Sequence, residues 1–170
     1  TSLCCGSNPG MVGELDRFGR VKTPDAHIEA LQQLLDALKP SAVTDLDISG
    51  IGIGPTGAGH VADYVRDAKT SITSLNCGFN TGMVGELDRS GRVKTPDVHI
   101  DALQQLLDAL KPSAVTDLDI SGIGIGATGA GRVADYVRDA KASLVTINCL
   151  TNPIGDDGLA TLVTAVKGSS

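Results

Sequence analysis

Apolar and polar residues alternate in two kinds of short segment, residues 72–77 (ITSLNC) and 43–49 (VTDLDIS). A period of two predicts strands with one face turned inward. Leu75 and Cys77 then point one way, and Ser74, Asn76 and Gly78 the other. In IEALQQLLDAL the period lengthens, and Ile28, Leu31, Leu35 and Leu38 fall on one helical stripe. Thr23-Pro24 and Thr95-Pro96 precede the two copies of this stripe and are expected to act as N-cap and first-turn proline. Lys39-Pro40 and Lys111-Pro112 mark the far ends. The module is therefore strand, loop, helix. It occurs five times, alternating long and short.

The modules belong to a larger repeat. MVGELDR begins at Met11 and again at Met83, and LQQLLDALKPSAVTDLDISGIGIG begins at Leu31 and again at Leu103, an offset of 72 residues in each case. Residues 1–72 and 73–144 differ at about ten positions, and a partial third unit covers 145–170. One strand and one helix cannot bury both apolar faces alone, so stacked neighbours must complete the core. The whole of 1–170 reads as one domain.

The last module carries Leu144, Ile147, Cys149, Asn152, Ile154, Gly155 and Gly158 in the spacing L-x-x-L-x-L-x-x-N-x-I-G-x-x-G. This resembles the ribonuclease-inhibitor type of leucine-rich repeat. The resemblance implies an α/β fold, a right-handed solenoid arc with parallel strands on its concave side and helices outside. It also implies recognition of a protein through the concave face and the strand-to-helix loops. Ile51 and Ile123 stand where the frame has Asn, so the Gly-rich loops there are expected to take a tighter path of their own. Asn8 and Asn80 are kept, each followed by an insertion.

Composition narrows the function classes. Aromatic residues make up 2% and Trp is absent, which argues against a stacking platform for single-stranded nucleic acid. A net charge of -6 and a pI of about 4.9 argue against nucleic-acid and anionic-membrane partners. No apolar run reaches the ~18 residues of a membrane span. Cys4, Cys5, Cys77 and Cys149 lack zinc-site spacing, and a reducing intracellular, cytoplasmic setting is expected. The strand TSLCC has no polar cap before it. That suggests a fragment of a longer array, or self-association through exposed end strands.

Five features carry candidate chemistry. Gly52-x-Gly54-x-x-Gly57, repeated at Gly124, Gly126 and Gly129, has the form of a dinucleotide-binding loop. The matching stretch of the last module is acidic, and the glycines are read as turn residues. The outward strand positions, Cys4 and Leu150 apart, are small, polar or acidic, with Asp45, Asp47, Asn76, Asp117 and Asp119 as the proposed partner-binding residues. They read as a cradle for a basic protein, or as the polar surface any open sheet needs. Residues Met11 to Lys22 and Met83 to Lys94 read as hairpins, the first with a turn from Asp16 to Gly19. Arg17 and Phe18 at its tip form a second candidate patch, against a packing role for the hairpin. Cys5, Cys77 and Cys149 are expected in the core and Cys4 outside it. His27 and His99 are placed in first helical turns and, with His60, on the surface.

No catalytic residue, cofactor or metal is expected. The leading reading is a non-enzymatic protein-binding scaffold. The alternatives are a structural or self-associating array and a regulator of a small GTPase.

Overall fold

The structure is a computed structural model and describes residues 1–67, 71–139 and 144–168. The chain is an α/β protein built on a five-stranded parallel sheet. Its strands are β1 (Ser2–Cys4), β4 (Asp45–Asp47), β5 (Ser74–Asn76), β8 (Asp117–Asp119) and β9 (Thr146–Asn148). They lie side by side in chain order, β1-β4-β5-β8-β9. Two small antiparallel pairs stand apart from this sheet: β2 (Glu14–Leu15) with β3 (Val21–Thr23), and β6 (Glu86–Leu87) with β7 (Val93–Thr95). The described helices are α1 (Ile28–Leu38), α2 (Pro55–Arg66), α3 (Ile100–Leu110), α4 (Ala127–Asp139) and α5 (Gly155–Gly168).

Register follows from the repeat. Leu3, Leu46, Leu75, Leu118 and Ile147 are mutual partners along the sheet. This row and the next inward row, with Ile48, Cys77 and Ile120, face Leu31, Leu35, Leu103, Leu106 and Leu107 of the helices in one core. Fully burying an aliphatic side chain stabilises by roughly 1.5–3 kcal/mol, so these rows fix the strand register.

The helix starts differ from the Thr-Pro expectation. Thr23 and Thr95 end the hairpins instead of capping α1 and α3, whose N-caps are His27 and His99 without a side-chain cap bond. The Thr23 hydroxyl is spent within the hairpin, donating to Glu14 Oε2 at 3.0 Å. The His27 N–H is satisfied by the Val12 carbonyl at 2.7 Å and that of His99 by Val84 at 2.8 Å. The histidines therefore sit just before the first helical turn. The C-terminal expectation holds, since Lys39 and Lys111 are the C-caps.

The loops after β4 and β8 have a better solution than a tight glycine path alone. Asn80, only 1% exposed, reaches back from the following module. Its Oδ1 accepts the N–H groups of Ile51, Gly52 and Ile53 at 3.0–3.1 Å, and its Nδ2 donates to the carbonyls of Ile48 and Cys77 at 2.9 Å. Asn152 treats Ile123, Gly124 and Ile125 in the same way. Glycine is still required at Gly52, where φ is +92° and a Cβ would come within 2.5 Å of the Gly13 amide nitrogen. The base of the insertion is packed there, with the Val12 N–H donating to the Ile51 carbonyl at 3.0 Å.

Candidate functional site

The sheet face turned away from the helices carries two rows. Ser2, Asp45, Ser74, Asp117 and Thr146 are partners in one; Cys4, Asp47, Asn76, Asp119 and Asn148 in the other. The five acidic and amide residues singled out from the sequence are thus brought together on one face. Acidic strands alternate with neutral ones. Neighbouring strands are about 4.8 Å apart, so the acidic pairs repeat about every 10 Å.

The rows differ in how their side chains are used. In the second row the carboxylates and amides cap the turns that follow the strands. Asp47 Oδ1 accepts the Ser49 N–H at 2.9 Å, Asp119 Oδ1 the Ser121 N–H at 2.8 Å, and Asn76 Oδ1 the Gly78 N–H at 2.9 Å. Asp119 Oδ2 accepts from Asn148 Nδ2 at 2.8 Å, and the Cys4 thiol donates to Asp47 Oδ2 at 3.4 Å. Asp47, Asn76 and Asp119 are half-buried and hold the fold as well as face solvent. Asp45 and Asp117 are exposed. Among the described residues each accepts only a neighbouring hydroxyl, from Thr44 at 2.6 Å and from Thr116 at 2.7 Å. Neither is ion-paired among the described residues.

Phe79 borders this face and was not singled out from the sequence. It is 58% exposed with φ +57°, a conformation a bulky residue rarely adopts. Ser7, Gly50, Gly122 and Thr151 share the left-handed conformation at the ends of the other strands. The signal lay in comparing the copies, because Phe79 stands where the first unit has Ser7.

The hairpins form as the turn chemistry dictates. Asp16 accepts the Phe18 and Arg20 amides at 2.8 and 3.0 Å, and Gly19 takes φ +76°. The Arg20 amide is the main reason the Asp16 carboxyl sits below the usual carboxylate range. Phe18 is 65% exposed, with the Arg17 and Arg20 guanidinium carbons 4.7 and 5.6 Å from its ring centroid. Arg17 and Phe18 therefore belong to the hairpin tip and not to the sheet face.

The glycine loops have no free anion site. Asp25, itself at φ +59°, fills the N-terminus of α2 by accepting the N–H groups of Gly54, Thr56 and Gly57 at 2.7–3.1 Å. Asp97 does the same for Gly126 and Gly129. A carboxylate stands where a phosphate would bind. Sequence reasoning missed this role for Asp25, which lies 29–32 residues from its partners.

All four cysteines are free thiols. Cys77 is fully buried, and desolvation, with smaller contributions from Asp119 and Asp47, pushes its thiol up to about 12. Burial pushes Cys149 up to about 11. Cys4 is exposed. Among the described residues no group of three or more His, Cys, Asp or Glu side chains is placed to hold a metal ion, and no helix is long and apolar enough to cross a membrane. No protein-family model matches the chain, and no curated protein matches it.

Proposed function

We propose that the chain is a leucine-rich-repeat scaffold of the ribonuclease-inhibitor type that binds a basic protein on its open sheet face. In this reading residues 1–170 form one right-handed solenoid arc of two 72-residue units and a partial third. Parallel strands in chain order, joined through helices and stitched by Asn80 and Asn152, support the repeat assignment. The free thiols support a reducing intracellular setting.

The observation that carries the function is the pair of exposed carboxylates, Asp45 and Asp117, on one open face and without a cationic partner among the described residues. The face works by electrostatic complementarity. Asp45 and Asp117 attract and orient the cationic groups, Asp47, Asn76 and Asp119 keep the rows rigid, and Phe79 offers an apolar contact at the border.

Fluorescence anisotropy with a labelled Lys/Arg-rich peptide tests this. Asp45→Lys together with Asp117→Lys should weaken binding at least about tenfold, equivalent to about 1.4 kcal/mol. Asp47 and Asp119 are left intact because their carboxylates cap turns. Equal affinity of parent and variant for the peptide would overturn the reading.

A further inference from the structure

The two hairpins form a surface of the opposite sign. Their carboxylates are committed locally. Glu14 pairs with Lys22 at 3.5 Å and Glu86 with Lys94 at 3.6 Å, while Asp16 and Asp88 accept amides of their own turns. Arg17, Arg20, Arg89 and Arg92 are exposed and make no ion pair among the described residues. The hairpins also touch. A Cβ on Gly91, at the second tip, would lie 3.4 Å from the Val21 carbonyl oxygen and 3.5 Å from Arg20 Cβ of the first. Adjoining tips thus present four guanidinium groups without an ion pair among the described residues, Arg17 and Arg20 lying over the exposed Phe18 ring and Arg89 and Arg92 on the second tip.

The spacing of this cationic surface suits one acidic partner in particular. The hairpins follow β1 and β5, two strands apart in the sheet, and the acidic pairs occupy β4 and β8, also two strands apart. Both surfaces therefore repeat once every two strands, which puts the acidic pairs about 10 Å apart. Asp45 and Asp117 on one molecule follow the same two-strand repeat as the hairpins that carry the arginines on another.

We propose that a second copy of this chain is a partner of the acidic face, its paired hairpin tips docking on Asp45 and Asp117. This inference rests on the reading of that face as a binding surface. Contact between different patches of two copies either closes a reciprocal dimer or propagates as an open chain. In both cases association weakens with salt.

Sedimentation velocity with two variants tests it. One variant carries Arg17→Glu and Arg89→Glu, so that hairpins and face are both acidic. The other carries Asp45→Lys and Asp117→Lys, so that both are basic. The parent should associate at ~0.01 M salt and dissociate at ~1 M, where the Debye length falls from about 30 Å to about 3 Å. Each variant alone should be at least tenfold weaker than the parent. An equimolar mixture should associate again, because each then meets its complement, and that rescue also shows that both are folded.

A parent that stays monomeric at low salt overturns the proposal, as does self-association of either variant at parental strength, or a mixture that stays monomeric. The same samples are titrated with the labelled basic peptide. A monomeric parent that binds the peptide through Asp45 and Asp117 sinks self-docking and leaves the scaffold reading standing. A monomeric parent that ignores the peptide removes both.

Discussion

Cys77 lies directly beneath the acidic rows, fully buried among the inward strand residues, and its environment favours the neutral thiol. Its ordinary value is 9.0 and its folded value about 12. Between those values the unfolded chain releases the proton first, so the folded state binds more protons and stability falls as pH rises. Below about pH 9 the contribution is fully present. At pH 10, one unit beyond its unfolded value, Cys77 should lower stability by on the order of 1 kcal/mol relative to neutral pH. Cys149 acts in the same direction over a narrower window, ending at about 11. Urea midpoints at pH 8, 9 and 10 measure this slope. Cys77→Ala should flatten it whatever it does to absolute stability, and an unchanged slope would refute the assignment. Cys4, exposed on the same strand face as Asp47, should react with a thiol reagent in the native state while Cys77 reacts only after unfolding.

At the scale of elements, the insertions do two jobs with different parts. Their tips are exposed, but their bases are structural: Val12 is buried and Asp25 caps α2 in the adjoining module. Asp25→Ala should remove about 1–2 kcal/mol. It should also speed hydrogen exchange at the amides of Gly54, Thr56 and Gly57, with Asp25→Asn recovering part of the loss. Unchanged exchange at these amides would show that the cap contributes nothing. This element also marks where sequence reasoning stops. The strands, the Leu stripe of α1 and the Asp16–Gly19 turn were legible because their determinants lie within a few residues of one another. The acidic face was legible for the same reason, since alternation along each strand assigns Asp45 and Asp47 to one side. Thr23-Pro24 misled because a local capping signal lost to a tertiary demand: Thr23 completes the hairpin and the turn after it aims Asp25 at a helix some thirty residues away. The loops of Ile51 and Ile123 were misread likewise, because their asparagine comes from the next module.

For the whole molecule, those asparagines decide how the two near-identical units are joined. Each helix packs on its neighbours in the chain and each strand of the main sheet pairs with the next, and the two units meet through an α2–α3 contact more extensive than the α1–α2 contact within a unit, together with the β4–β5 pairing. Asn80 is the polar part of that junction. It belongs to the second unit, is buried, and satisfies three N–H groups and one carbonyl of the first. Asn80→Ala strands several buried polar groups at about 1–3 kcal/mol for each that water cannot reach, for a loss of about 3 kcal/mol or more. The loss falls on the boundary, so the units should also uncouple. The urea transition of Asn80→Ala should broaden, with a smaller slope against denaturant, or split in two. Asn152 makes a matching set of bonds, but it joins the second unit to the partial third and is only partly buried. Asn152→Ala should cost less and loosen β9 and α5 while the main transition stays single. Equal losses from both variants with unchanged slopes would mean that the apolar core alone couples the units. In that case the asparagines would serve only the loops they bond.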